Sequence, residues 1–207
     1  MKLKDYYKNE VKINDSMQGG WASLYYGIFS KVIDENNYKN IVEVGIGYGT
    51  HAKHILNKNT NIEKLYLIDP MKYYPNDLFA DNIMNQEPEV EGNNFNELYE
   101  LINEELSGWN DKIIWLRKES LTVTEEEIPN NSVDCVFVDG DHSYEAVLND
   151  LKFWWGKIVV GGQLMGDDYW MDDVKKAVKK FSEEYNIYFD LLTNENNNYQ
   201  IFRFTKK

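Results

Sequence analysis

The chain has 207 residues, of which 43% are apolar and 28% are charged, and only four are prolines. This length predicts a single domain, and the composition excludes collagen-like, low-complexity and disulfide-scaffold proteins. The formal net charge is −13 at pH 7, so the phosphates of a nucleic acid would be repelled and we expect no nucleic-acid partner.

The first residues carry no secretion or membrane signal. They lack the apolar core of a signal peptide, and no later stretch approaches the roughly 20 apolar residues of a membrane span. The single cysteine, Cys135, cannot form an internal disulfide. We therefore expect a cytoplasmic protein without a membrane partner.

Within residues 1–40, Gly19 and Gly20 precede Trp21 and form a candidate hinge, which predicts an N-terminal lid or helix segment.

Short apolar runs alternate with helical stretches along the rest of the chain. The runs predict buried parallel strands at residues 41–44, 65–68, 113–116, 133–138 and 158–165. The stretches that follow them predict helices at residues 50–56, 94–106, 143–155 and 172–185. This alternation predicts an α/β fold with a doubly wound, mostly parallel, Rossmann-like sheet.

Two further features complete the predicted organisation. Residues 187–192 and 199–204 are apolar runs around a polar tip, which predicts a hairpin and hence a reversed terminal strand. The stretch 71–111 is longer than one helix and a loop require, so we expect an insertion that forms a lid or a substrate wall. No stretch has the composition of a linker, and one domain is predicted for residues 1–207.

The first candidate site follows the first strand. Gly45, Gly47 and Gly49 lie between that strand and the next helix, and Glu43 precedes them. Glycines allow sharp turns and close approach of a ligand to the backbone. Asp69 ends the second strand, where an acid can accept hydrogen bonds from a ribose diol. The glycine turn together with Asp69 predicts nucleotide-type binding. The alternative is a tight turn with an aspartate that caps a helix.

The second candidate site follows the fourth and fifth strands. Asp139 and Asp141 lie after one strand, and Asp167 and Asp168 lie after the other. These strands are predicted neighbours, so the four carboxylates should meet at the carboxyl edge of the sheet. Like charges repel without a cation, and oxygen ligands suit a hard ion such as Mg²⁺ or Ca²⁺. The alternative is that some of these aspartates cap the following helices.

Together, the E-x-G-x-G-x-G turn, Asp69, the D-G-D-H-S-Y segment and the G-D-D-Y segment resemble class I S-adenosylmethionine-dependent methyltransferases. The resemblance is greatest to the small metal-dependent O-methyltransferases that include the macrocin and novobiocin sugar enzymes and relatives of the catechol enzymes. It covers about residues 40–205. It implies the class I methyltransferase fold, whose sheet closes with a reversed last strand, unlike the nicotinamide-binding fold.

The resemblance also implies roles for individual residues. The residues implied in binding S-adenosylmethionine are Glu43, Gly45, Gly47 and Gly49 at the methionine part, Asp69 at the ribose, Ser120 at the adenine, and Asp139. The implied metal ligands are Asp139, Asp167 and Asp168. Asp141 matches a position proposed as general base, and His142 is the second candidate for that role. The catechol branch has a lysine in this region, where this chain has Ser143 and Tyr144, so a lysine base is not expected.

These parts predict an O-methyltransferase for a small diol-containing acceptor. A divalent ion, Mg²⁺ or another, would bind two adjacent substrate oxygens and lower the pKa of the attacking hydroxyl. The nearer likeness to the macrocin-type branch favours a sugar or glycan over a catechol. Aromatic residues that could stack on either are Tyr73, Tyr74, Phe79, Trp109, Tyr169 and Trp170. Small relatives of this kind often dimerise, which implies a homodimer.

Two functions other than methyl transfer are compatible with part of the sequence, and no motif excludes a methyltransferase that acts on protein. A nicotinamide-dependent oxidoreductase would share the first strand, the glycine turn and the ribose acid, but it would leave the four carboxylates and the hairpin unexplained. A non-catalytic cofactor-binding subunit would not need the four carboxylates, which are costly to keep together because like charges repel.

Overall fold

The computed structural model describes residues 2–11, 25–72, 95–194 and 199–207. Its strands are β1 (Asn40–Val44), β2 (Lys64–Ile68), β3 (Ile113–Leu116), β4 (Val133–Val138), β5 (Ile158–Gly166), β6 (Phe189–Asn194) and β7 (Tyr199–Thr205). Its α-helices are α1 (Leu3–Tyr6), α2 (Tyr26–Asn36), α3 (Thr50–Lys58), α4 (Phe95–Glu105), α5 (Tyr144–Lys157) and α6 (Asp172–Tyr185). Shorter helical turns lie at Tyr7–Val11, Ser107–Trp109 and Ser120–Thr122. The predicted strands and helices are confirmed, with ends shifted by no more than two residues.

The strands form one sheet in the order β3-β2-β1-β4-β5-β7-β6. β1 to β5 are parallel to one another, whereas β7 is antiparallel to both β5 and β6. The predicted reversed strand is therefore confirmed, and it lies second from the edge because β6 closes the sheet. The chain runs outward from β1 in one direction and from β4 in the other, so the crevice between their carboxyl ends is the expected ligand site.

Apolar side chains alternate between the two faces of the sheet, and each face packs against its own helices. Ile41 and Phe137 point into a core with α1 to α4, whereas Val42 and Val136 point into a second core with α5 and α6. Both cores are closed, and all four of these side chains are fully buried. The sheet is thus covered on both sides, and its carboxyl edge is left to the loops that carry polar residues.

The predicted N-terminal lid falls partly outside the described residues, because 12–24 are not among them. Of the described part, Tyr6 and Tyr7 pack against Tyr48 of the glycine turn, with ring centroids 5.8 Å and 6.4 Å away. The Tyr7 hydroxyl also donates a hydrogen bond to the backbone oxygen of Tyr48 at 3.2 Å. The N-terminal segment therefore contacts the turn that the sequence assigns to ligand binding.

Candidate active site

The glycine turn joins β1 to α3. Gly45, Gly47 and Gly49 have φ angles of 85°, 52° and 76°, in the left-handed region that is strained for residues with a Cβ atom. Gly45 also lies against the end of β4, where a Cβ atom built on it would stand 2.0 Å from the backbone oxygen of Asp139. Glycine is therefore required at position 45 both by its conformation and by the close approach of another strand.

Glu43 and His51 form a buried pair on either side of this turn. Oε1 of Glu43 lies 3.2 Å from Nδ1 of His51, and the two side chains are 2% and 4% exposed. Burial, followed by the charges of Asp139 and Asp69, raises the pKa of Glu43 well above its usual range, whereas burial lowers the pKa of His51 to about 3. Among the described residues, none hydrogen-bonds to Oε2 of Glu43. A ligand at the turn could use this buried oxygen.

Asp69 follows β2 and connects the glycine turn to the next loop. Its Oδ2 accepts a hydrogen bond from the N–H of Ile46 at 2.9 Å, and its Oδ1 accepts one from the N–H of Met71 at 2.7 Å. Burial raises the pKa of Asp69, and the two hydrogen bonds oppose that shift. Each oxygen has a second lone pair, so Asp69 can also accept a hydrogen bond from a hydroxyl group of a ligand.

Ser120, after β3, binds to α5. Its hydroxyl donates to Oδ1 of Asp150 at 2.5 Å and accepts a hydrogen bond from Nε1 of Trp154 at 2.8 Å. Burial raises the pKa of Asp150 to about 6, although the Ser120 hydroxyl opposes the shift. The Ser120 side chain is thus engaged within the protein, and Asp150 is a buried acid at this part of the edge that sequence reasoning missed.

Asp139, His142 and Asp168 converge where β4 and β5 end. Nε2 of His142 lies 2.7 Å from Oδ2 of Asp168 and 3.7 Å from Oδ1 of Asp139. One ligand atom from each of the three residues falls within 4.8 Å of the others, so a single metal ion could bind all three. Burial acts to lower the pKa of His142, but the two aspartates outweigh it and raise the pKa well above its usual value. We call these three residues the acid cluster.

Aromatic side chains donate hydrogen bonds to both aspartates of the acid cluster. The Tyr25 hydroxyl donates to Oδ2 of Asp139 at 2.7 Å. Nε1 of Trp170 donates to Oδ1 of Asp168 at 2.8 Å. These donors orient the carboxylates, and the opposite oxygen of each carboxylate lies nearer to His142.

Asp167 lies beside the acid cluster and is more deeply buried. Burial, followed by the charges of Asp139 and Asp168, raises its pKa well above the usual range, and a hydrogen bond from Tyr199 opposes this. Within the described ranges, no donor reaches its buried Oδ1 atom. Three of the four predicted aspartates are therefore close neighbours, and one of them holds an unused buried oxygen.

Asp141 has a different environment. It is exposed, and its Oδ1 accepts a hydrogen bond from the N–H of Ser143 at 2.8 Å, immediately before α5. This bond closes a local turn before the helix, whose N-cap residue is Ser143 and which has no side-chain cap bond, so Asp141 is not the cap that the sequence left as an alternative. The role of Asp141 as general base stays a prediction.

Several site residues were not selected from the sequence. Tyr25 lies 114 positions before its partner Asp139, and no local pattern signals such a contact. Tyr199 lies in the hairpin, whose sequence pattern predicts a reversed strand but no site residue. His51 follows the glycine turn directly, so its position was the one available signal. Of the predicted aromatic residues, Tyr73, Tyr74 and Phe79 lie outside the described residues, as does most of the insertion 71–111.

A glycine turn after the first strand and an acid after the second, in a seven-stranded sheet with a reversed last strand, define the class I S-adenosylmethionine-dependent methyltransferase fold. The comparisons with known proteins agree. A family described as "Methyltransferase domain" matches residues 42–169, which is more than half of the chain. The chain belongs to this methyltransferase family.

Solved structures show the same fold at low sequence identity. A Staphylococcus aureus protein described as a caffeoyl-CoA O-methyltransferase has a TM-score of 0.65 at 10% identity, over 98% of this chain and 92% of its own. The O-methyltransferase NovP has a TM-score of 0.62 at 18% identity, over 88% and 78%. An O-methyltransferase from Bacillus cereus in complex with SAH has a TM-score of 0.61 at 11% identity, over 99% and 90%.

A sequence relative is found in a virus. An uncharacterized protein of Acanthamoeba polyphaga mimivirus is 26% identical over 182 residues, which cover 84% of this chain and 74% of the viral protein.

Among the helices in the described ranges, none has the length and apolar character needed to cross a bilayer.

Proposed function

We propose that this protein transfers the methyl group of S-adenosylmethionine to a hydroxyl of a small acceptor with two adjacent hydroxyls, most simply a sugar, with the help of a divalent cation. The observation that carries the proposal is the junction of two sites. Gly45, in the turn of the donor site, packs against the backbone of Asp139, whose side chain belongs to the acid cluster. A donor at the turn and an acceptor at the cluster would therefore be neighbours.

The donor site has groups suited to each part of S-adenosylmethionine. Oε2 of Glu43, which has no hydrogen bond from the described residues, suits the ammonium group of the methionine part. The positive charge of that group would favour the ionised carboxylate. Asp69, at the end of the neighbouring strand, can accept from the ribose. The adenine would then lie beyond β2, at the end of β3, where Ser120 and Asp150 meet.

The acid cluster fits a divalent cation. Asp139 and Asp168 of the cluster would hold it, and Asp167, whose carboxyl lies close enough to feel both of their charges, would add a buried Oδ1 without a donor from the described residues. A hard ion of the Mg²⁺ type prefers such ligands. A bound divalent ion lowers the pKa of a hydroxyl that contacts it and fixes its direction.

His142 is our choice for the proton acceptor. Asp139 and Asp168 flank its ring, and their negative charges would stabilise the imidazolium that forms when the neutral ring accepts a proton. Asp141, the other candidate, is exposed and is bound to the start of α5. Methyl transfer is an in-line displacement, so the remaining task of the protein is to align the acceptor oxygen with the methyl group and to exclude water.

The donor half of the proposal is tested by calorimetric titration with S-adenosylhomocysteine, with NAD⁺ as the control ligand. We expect saturable binding of the first and none of the second. Binding of NAD⁺ alone would favour the oxidoreductase alternative and would contradict the proposal.

The acceptor half is tested by transfer of a labelled methyl group to a panel of sugars and catechols, each paired with its deoxy analogue. We expect transfer only to vicinal diols, loss of transfer with EDTA, and recovery with Mg²⁺. Asp168→Asn should lose most activity, whereas Asp173→Asn, at an exposed ion pair with Lys176 on α6, should keep it. Full activity of Asp168→Asn in EDTA would refute the assistance by a cation, and transfer to a monohydroxy acceptor would refute the diol.

A further inference from the structure

Tyr25 is anchored more firmly than its place before α2 would suggest. Its side chain is 4% exposed and packs against several rings. The Phe137 ring stacks on it at 5.0 Å and 19°, and the His51 ring meets it edge-on at 4.9 Å. Tyr199 lies on it at 6.4 Å. A ring held in this way cannot swing aside without repacking the core, so its hydroxyl occupies a fixed point.

The Tyr25 hydroxyl gives the two oxygens of the Asp139 carboxylate different surroundings. Oδ2 accepts the Tyr25 hydrogen bond at 2.7 Å, whereas Oδ1 faces His142 at 3.7 Å. A carboxylate that binds a cation through both oxygens must present both to it. With Tyr25 bound to Oδ2, Oδ1 is the oxygen of Asp139 that pairs with His142 of the acid cluster.

We propose that Tyr25 restricts Asp139 to one ligand oxygen and thereby makes the acid cluster select a small, six-coordinate cation over Ca²⁺. This inference rests on the proposed cation site and deepens it. Ca²⁺ takes six to eight oxygens and readily accepts two from one carboxylate, whereas Mg²⁺ requires near-octahedral ligands at short distances. A donor that holds one carboxylate oxygen in a hydrogen bond hinders binding through both oxygens and therefore disfavours the larger ion, and the same donor fixes the other oxygen in position for the smaller one.

The residue that does this lies outside the part of the chain that the methyltransferase family matches, residues 42–169. Asp139 and Asp168 lie within the matched range, whereas the proposed selectivity comes from the segment before β1. Tyr25 acts through Asp139, so it is a positioning residue.

The test is calorimetric titration of the full chain with MgCl₂ alone and with CaCl₂ alone, for the wild type, Tyr25→Phe and Tyr26→Phe. Tyr26 is a matched control, because it is the next residue, is equally buried, and shares a hydrogen bond at 2.6 Å with the Thr50 hydroxyl instead of an aspartate. We expect the wild type and Tyr26→Phe to bind Mg²⁺ more tightly than Ca²⁺. Tyr25→Phe should lose about 10-fold or more in Mg²⁺ affinity and much less in Ca²⁺ affinity, so that the preference shifts towards Ca²⁺.

The ratio of the two affinities separates this role from a merely structural one. An equal loss for both ions in Tyr25→Phe, or no loss for Mg²⁺, would overturn the inference. If Tyr25→Phe does not fold, the wild type still decides, since a preference for Ca²⁺ over Mg²⁺ would contradict the single-oxygen site. A wild type that binds neither ion would instead refute the cation site itself, and with it this inference.

Discussion

Replacement of Gly45 by alanine tests the contact that joins the two halves of the site. The new Cβ atom would stand 2.0 Å from the backbone oxygen of Asp139 and 2.8 Å from the Cα atom of Gly140. Both neighbours are backbone atoms, so no side-chain rotation can relieve the overlap. The φ angle of 85° adds conformational strain.

The size of the effect follows from these two contributions. A residue with a Cβ atom in the left-handed region costs about 1–2 kcal/mol, and forcing an extra carbon into a packed site costs about 1–3 kcal/mol. We therefore expect Gly45→Ala to lower the free energy of unfolding by about 2–5 kcal/mol. Against a total of about 5–15 kcal/mol for an ordinary domain, this is a large loss.

Urea unfolding of three variants separates the two contributions. Gly161 has the same φ of 85° with no described atom within 4 Å of a built Cβ, so Gly161→Ala reports strain alone, at about 1–2 kcal/mol. Gly140→Ala reports neither, because its built Cβ atom meets only Val44 at 3.8 Å, and it should stay within about 0.5 kcal/mol of the wild type. A Gly45→Ala variant no less stable than Gly161→Ala would refute the argument from close approach.

Three further predictions concern the buried polar groups and the N-terminal segment. Burial raises the pKa of Asp150 to about 6 in the folded protein, from the ordinary value of 3.8, so the native state binds this proton more tightly than the unfolded state does. The resulting stabilisation is fully present below pH 3.8 and is lost as the pH rises through 6, by up to about 3 kcal/mol. Asp150→Asn should remove this loss, and its advantage in urea unfolding should grow between pH 4 and pH 7; a constant difference would contradict it. Ser120→Ala should cost about 1–3 kcal/mol by leaving two buried partners without their hydrogen bonds, whereas Ser132→Ala, an exposed hydroxyl bonded only to a nearby backbone oxygen, should cost little. Tyr48→Ala should speed amide exchange in residues 2–11, measured by mass spectrometry, and unchanged exchange there would show that the aromatic contacts do not hold the segment.

Much of the fold could be predicted because its signals are local. Apolar runs mark the strands, and the polar tip between two runs marks the hairpin, so the reversed strand followed from the sequence. The convergence of Asp139, Asp167 and Asp168 could also be inferred, because carboxyl ends of neighbouring parallel strands meet at one edge. The position of β7 between β5 and β6 could not be predicted, since it depends on which strand of the hairpin pairs with β5.

The partners of the site residues were not predictable for a related reason. Tyr25 reaches Asp139 only after the segment before α2 packs on the sheet, and the engagement of Ser120 depends on how α5 lies against the loop after β3. Such contacts arise from tertiary packing and leave no periodic trace. Whether an aspartate binds the neighbouring backbone, as Asp141 does, or faces a ligand is decided by side-chain direction, which spacing does not specify.

The insertion of β7 between β5 and β6 also constrains how the chain can fold. β5 acquires its second neighbour only from residues 199–205, at the far end of the sequence. Until they are available, β5 presents an open edge with the buried residues Leu164 and Met165, and β6 has no strand beside it in the sheet. During synthesis, this half of the sheet must therefore wait for residues 199–205 to emerge from the ribosome, and a chain truncated before β7 would expose an edge prone to aggregation.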